Sequence, residues 1–164
     1  MSQRTIGRTV IDDQNIIAIV IIVFFNDPIE IPEPALKACR MAMEMQSHLE
    51  DLKKTWETRG YSLSMGVGIA QGMATIGAIG FEGRRDYAAI GNVTNLAGRL
   101  CSEAKGGQII MSSVVANNIQ SVLPVHPIEP LVLKGFAEPV ACYEISSPTE
   151  QISFTQTNQL ALAD

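Results

Sequence analysis

The chain has 164 residues, enough for one domain with a sizeable core, and 46% of them are hydrophobic against 18% charged. A net charge of −5 argues against a nucleic-acid or anionic-membrane surface, since either needs clustered Lys and Arg. Cys39, Cys101 and Cys142 lie far apart in apolar patterns without C-x-x-C spacing, so they read as buried thiols in a reducing compartment, the cytoplasm.

Ile16 to Phe25 is a continuous apolar run behind Arg4 and Arg8, superficially like a signal peptide. Asp12 and Asp13 precede it, no small-residue cleavage site follows, and it is too short to span a bilayer. Its β-branched and aromatic content, stopping at Asn26-Asp27-Pro28, predicts a strand. After Pro32 and Pro34 the apolar residues Ala35, Ala38, Ala42, Met45, Leu49, Leu52 and Trp56 step by threes and fours. This predicts a long amphipathic helix ending at Gly60, its stripe covering a sheet. Tyr61 to Ala70 then alternates bulky residues with Ser, Gly and Ala, a strand with one bulky and one small face.

Glycines 72, 77, 80 and 83 mark a hairpin or tight connection, and a short strand near Tyr87 to Ile90 leads to a helix opening near Val93 and ending around Gly106-Gly107. Gln108 to Met111 reads as a strand, and Ser112 or Ser113 as the cap of a helix reaching about Gln120. Leu131 to Leu133 and Val140 to Ile145 read as strands around a Lys134-Gly135 turn. The tail from Ser146 reads as loosely held. Strands and helices without strict alternation indicate an α+β sandwich, a mainly antiparallel sheet with helices on one face, in a ferredoxin-like arrangement.

Within that order, Asn95 and Arg99 fall at i and i+4 just after a glycine turn. An amide and a fixed cationic fork on one helix face can together grip a polyphosphate sugar. Spacing alone leaves open an ordinary amphipathic helix with a surface Arg. Gly66-x-Gly68-x-x-x-Gly72 is no dinucleotide fingerprint, because its first glycines fall inside an alternating strand and no helix opens after them. His48 and His126 are too isolated for a metal site or triad, and Met41, Met43 and Met45 read as packing.

Successive blocks of this sequence resemble, in order, the class III nucleotidyl cyclase catalytic domain of bacterial adenylate and guanylate cyclases. They are Val23-Phe24-Phe25-Asn26-Asp27-Pro28, Ala35 to Met43, Met65-Gly66-Val67-Gly68-Ile69-Ala70-Gln71-Gly72, Gly80 to Gly91, Thr94-Asn95-Leu96-Ala97-Gly98-Arg99-Leu100, Gly107-Gln108-Ile109-Ile110 and Leu133-Lys134-Gly135-Phe136. The resemblance runs from Val23 to Ile145 and implies three parts: an atypical segment 1–22, a partial catalytic domain 23–146 and a tail 147–164.

In that family two domains pair head to tail around ATP or GTP, and two aspartates of one subunit hold two Mg or Mn ions that activate the ribose 3′ hydroxyl. The resemblance implies that Asn95 orients the ribose, Arg99 stabilises charge on the α-phosphate, and Lys134 reaches the terminal phosphates. The metal ligands are missing. The family's first aspartate lies in a Phe-x-Asp-Ile-x-Gly-Phe-Thr type strand with no counterpart here. The second sits in a Gly-Asp-Gly turn, to which Ala18-Ile19-Val20 corresponds; Asp12, Asp13 and Asp27 do not match it. Base-reading positions of many adenylate cyclases are Asn15 and Ala88 here, and Ala88 offers no side-chain hydrogen bond. The Asp86-Tyr87-Ala88-Ala89-Ile90-Gly91 variant nevertheless implies adenine.

Upstream of Val23 the match fades, as it would for a truncated, frame-shifted or diverged N-terminus, so the first strand is expected to be missing. Its absence would leave an unpaired sheet edge and favour dimers or larger species. Two readings follow: an adenylate cyclase domain converting ATP to cyclic AMP and pyrophosphate in intracellular signalling, inactive alone; or a non-catalytic cyclase-like module that completes or regulates an intact cyclase. Both imply a homodimer or a heterodimer with another cyclase domain, without nucleic acid or membrane insertion.

Overall fold

The computed structural model describes residues 6–11, 17–81 and 84–145. The chain divides into two compact units, Met1–Pro34 and Ala35–Asp164. The tail from Ser146, the carboxylates Asp12 and Asp13, and Asn15 lie outside the described residues.

The first unit holds β1 (Ile6–Ile11) and β2 (Ile17–Ile22), an antiparallel pair running from Ile6 opposite Ile22 to Ile11 opposite Ile17. β1 was not foreseen in the sequence. Of the run expected to be a strand to Phe25, the strand spans Ile17–Ile22, with Ile22 opposite Ile6. Asn26 then takes a left-handed conformation (φ 67°), its Oδ1 accepting a hydrogen bond from the Ile31 amide at 2.9 Å. Asn tolerates that backbone better than other side chains do.

The second unit is built on a four-stranded sheet in the order β3-β6-β8-β7: β3 (Val67–Ile69), β6 (Ile109–Ser112), β8 (Val140–Ile145) and β7 (Val125–Leu131). β3 runs parallel to β6, and the other neighbours are antiparallel. Three helices accompany it, α1 (Pro34–Glu57), α2 (Asn92–Glu103) and α3 (Ser113–Ile119), together with a separate antiparallel hairpin of β4 (Thr75–Phe81) and β5 (Arg84–Ile90).

Strand alternation sorts the core into two clusters. Ile109, Met111 and Ile145, with Val67, Ile69 and Tyr143 beside them, pack with Leu36, Cys39 and Ala42 of α1 and with Val115, Ala116 and Ile119 of α3. Their intervening neighbours Ile110 and Cys142 pack instead with Leu100 and Leu96 of α2 and with Leu133. Because successive side chains point to opposite faces, α1 and α3 cover one face of the sheet and α2 the other. The α+β architecture holds, and the helix layer expected on one face is supplied by α1 and α3.

Three elements differ from their sequence reading for definable reasons. β3 spans only Val67–Ile69 of the expected Tyr61 to Ala70, because the Met65 carbonyl is used by Gln46 Nε2 (2.7 Å) and the Gly107 amide (2.9 Å). β7 begins well before Leu131 although Pro127 and Pro130 lie in it. Proline is tolerated there because β7 is an edge strand with an irregularity between Ile128 and Leu131. Ser112 sits at the α3 N-cap yet makes no capping bond, and its buried hydroxyl has no partner among the described residues. Of the three cysteines, Cys39 and Cys142 are buried and Cys101 only partly so. No helix among the described residues is long and apolar enough to cross a membrane.

Candidate functional site: the outer face of α2

The position of α2 is fixed by glycines. Seen from β3, a Cβ on Gly68 would stand 2.2 Å from the Cys101 amide nitrogen and 2.5 Å from the Ala97 carbonyl oxygen; one on Gly66 would stand 2.3 Å from the Ala104 carbonyl oxygen. The strand's small face, legible in the sequence as alternation, is therefore the seat on which the α2 backbone lies directly. Ala97, Cys101 and Ala104 supply matching small side chains, and Cys101 Sγ reaches the Gly66 carbonyl at 3.6 Å. At the other end, Gly91 precedes α2 in extended backbone, where a Cβ would meet the Met73 carbonyl oxygen at 2.9 Å. Thr94 Oγ1 donates to the Gly91 carbonyl at 2.7 Å and secures the first turn.

With Leu96 and Leu100 turned into the sheet, Asn95 and Arg99 lie exposed, one turn apart. Neither side chain makes a hydrogen bond or ion pair among the described residues. Lys134 is exposed in the turn after β7, between buried Leu133 and partly buried Phe136 of the same cluster that holds Leu96 and Leu100. The turn closes through the Phe136 amide on the Leu133 carbonyl (3.0 Å), with Gly135 at φ 91°, a conformation natural to glycine. One apolar cluster thus carries both the α2 helix and the Lys134 turn. Ala88 is half-buried in β5, opposite Gly77, three residues before the Gly91 junction.

A second tie, not foreseen in the sequence, holds the end of α2. Gln108 Nε2 donates to Glu144 Oε2 at 2.6 Å while its Oε1 accepts from the Lys105 amide at 3.1 Å, linking the turn after α2 to β8. The alternating glycines of β3 were the available signal for the seat; nothing local announced the Gln108 clasp, because its partner is 36 residues away.

Two thiols report the dryness of the interior. Burial pushes the Cys39 thiol up from 9.0 to about 11 and raises Cys142 as well, where a backbone hydrogen bond from Leu131 partly opposes it.

Divalent metals serve cyclase catalytic domains generally, so the donor set is a direct test of fit. Among the described residues no three His, Cys, Asp or Glu side chains converge on a point where a metal could be held. Ile19, which the sequence resemblance sets against the family's second metal aspartate, is paired with Thr9 inside β2. Hard cations need several oxygen ligands at fixed reach, and the described residues do not provide them.

The chain matches the profile of the adenylate and guanylate cyclase catalytic domain over residues 19–147. It is 25% identical over 140 residues to adenylate cyclase 1 of Rhizobium meliloti, covering 84% of this chain and 21% of that protein. It is also 30% identical over 117 residues to the terminal-differentiation-specific adenylate cyclase of Dictyostelium discoideum, covering 68% of this chain and 5% of that protein. Among solved structures it resembles the adenylyl cyclase CyaB of P. aeruginosa, with 29% identity, a TM-score of 0.72, and coverage of 85% of this chain and 71% of that one. The guanylyl cyclase Cya2 gives 28% identity, a TM-score of 0.66, and coverage of 87% and 72%. The chain spans about a fifth of the first of these curated relatives. With the profile match covering most of its length and the sheet and helices superposing on solved cyclases, the chain belongs to the family of adenylate and guanylate cyclase catalytic domains.

Proposed function

We propose that this chain is an adenylate-cyclase-type domain that supplies one half of a shared nucleotide site and is silent by itself. The observation that carries the reading is the pair Asn95 and Arg99, exposed and without a side-chain partner among the described residues, on a helix whose position is fixed by Gly66 and Gly68, with Lys134 held by the same apolar cluster. An exposed Arg without a carboxylate partner is free to meet phosphate, which its planar fork fits. In this reading ATP is the substrate. Its ribose 3′ hydroxyl gives up its proton as the oxygen bonds the α-phosphorus, the bond from that phosphorus to the oxygen bridging to the β-phosphate breaks, and cyclic AMP, pyrophosphate and the proton leave. Asn95 orients the ribose, Arg99 balances the charge growing on the α-phosphate oxygens, and Lys134 holds the terminal phosphates. The domain proper is taken as 23–146, flanked by the atypical segment 1–22 and the tail 147–164, and the setting as cytoplasmic.

A second reading, a non-catalytic module that pairs with and completes or regulates an intact cyclase, is favoured by Ile19 standing in a paired strand where an acid is required. Both readings are tested by complementation. The chain is mixed with a related cyclase that keeps both metal aspartates but has its own matching Arg replaced, and is supplied with ATP or GTP and Mg or Mn. Cyclic AMP should return, in preference to cyclic GMP, and Arg99→Ala should lower the rescue by roughly two to three powers of ten without preventing pairing. Pairing without any returned activity would leave only the regulatory reading, and neither pairing nor activity would remove both.

A further inference from the structure

The fold gathers three of the chain's seven methionines beside one histidine in a single groove. Met41, Met45 and His48 stand at i, i+4 and i+7 of α1, on one face of the helix. Met65, just before β3, lines the same open groove of about 350 Å³. Its backbone is held there, because its carbonyl accepts from Gln46 Nε2 at 2.7 Å and from the Gly107 amide at 2.9 Å. These three methionines are half-buried and border open space, whereas Met111 is fully enclosed in the core. His48 Nδ1 lies 2.8 Å from the Glu44 carbonyl oxygen. A carbonyl only accepts, so Nδ1 carries the proton and the neutral ring keeps its lone pair on Nε2. Metal-ligating imidazoles are oriented in this way, one nitrogen donating to a backbone carbonyl while the other faces the ion.

We propose that this groove is a binding site for a soft monovalent cation, copper(I), held by the thioethers of Met41, Met45 and Met65 and by His48 Nε2. The donor set decides the metal. Magnesium and calcium need several oxygen ligands, and Glu44 brings the one carboxylate of the lining. Zinc takes thiolate, imidazole and carboxylate, of which the lining offers only His48 and Glu44. Thioethers with an imidazole select copper(I). The methionine side chain has three rotatable bonds, so sulfurs from two elements can adjust to one ion. Lys and Arg do not occur in the lining, and the Glu44 carboxylate favours a cation over an anion. Leu49 and Leu52 complete the groove with an apolar wall that limits access of water to the ion. α1 covers the face of the sheet opposite α2, so the site lies apart from Asn95, Arg99 and Lys134 and does not rest on the nucleotide reading.

The test uses the full chain carrying Cys101→Ser, which removes the partly exposed thiol, with its methionine methyl groups labelled for NMR. It is titrated with silver(I), a redox-inert stand-in for copper(I). The signals of Met41, Met45 and Met65 should shift together and saturate at one equivalent, while that of Met73, 94% exposed, stays in place. Without oxygen and under reducing conditions the same chain should withdraw one copper(I) from a chromophoric chelator, and excess zinc(II) or magnesium(II) should not displace it. Met45→Leu, close in volume, and His48→Phe, at an exposed position, should each weaken copper(I) binding at least about ten-fold while the metal-free thermal melt is unchanged. Met73 shifting first or in step would show unselective thioether binding and overturn the proposal. So would silver uptake without methionine shifts, which assigns the metal to the remaining thiols, displacement by zinc(II), copper(I) binding indifferent to both variants, or no uptake at all.

Discussion

Placing one methyl group on Gly68 tests how α2 is held. The added carbon would stand 2.2 Å from the Cys101 nitrogen, 2.5 Å from the Ala97 carbonyl oxygen and 2.7 Å from the Leu100 carbonyl carbon, all backbone atoms that cannot rotate aside. Non-bonded heavy atoms settle near 3.5 Å, so α2 must retreat by about 1 Å or β3 must bend away. Overpacking of this kind costs about 1–3 kcal/mol, and the upper end applies because a helix rather than a side chain is displaced. For a chain of this size about 3 kcal/mol lowers the melting temperature by roughly 6–12 °C. Gly77→Ala is the control: a Cβ there meets nothing within 4 Å, and its stability should hold or rise slightly. Thermal and urea unfolding of Gly68→Ala, Gly77→Ala and the parent chain decide the matter. In the complementation mixture, Gly68→Ala should also lose about 100-fold, because a shift of about 1 Å moves Asn95 and Arg99 off their target. A Gly68→Ala chain melting with the parent would refute the direct seating of α2 on β3.

The chain alone should form no cyclic AMP or cyclic GMP above a matched blank with Mg or Mn, since the described residues gather no metal-holding carboxylates; metal-dependent turnover would show the donor argument to be wrong. Cys39 should give stability a distinctive pH dependence. Its folded pKa is raised to about 11, so the contribution is fully present below the ordinary value of 9.0 and is lost as pH climbs from there through the folded value, where the unfolded chain ionises and the folded one does not. Unfolding free energy should therefore fall across that window, and Cys39→Ala should flatten this part of the slope; an unaltered slope in the variant would contradict it. The same burial should leave Cys39 and Cys142 unreacted toward an alkylating reagent in the native state while the partly exposed Cys101 is modified first.

Local pattern was enough to reveal much of this protein. The three-and-four stepping from Ala35 to Trp56 marked α1, the alternation around Val67 and Ile69 marked a strand with a small face, and the Asn95/Arg99 pair marked one side of a helix, because each is a repeat within a single element. The family resemblance rested on the same short blocks, and the profile match and superposition on solved cyclases bear it out. What depended on distant partners was not legible. The strand expected from Tyr61 shrank because Gln46 and Gly107 use the Met65 carbonyl, and β7 formed through two prolines because it landed on a sheet edge. Only the tertiary structure decided that α2 lies across the sheet from α1, that Gly66 and Gly68 are its seat, and that Lys134 shares a cluster with Leu96 and Leu100. Periodicity records which face of an element is apolar; which element covers that face is settled by packing between residues far apart in the chain.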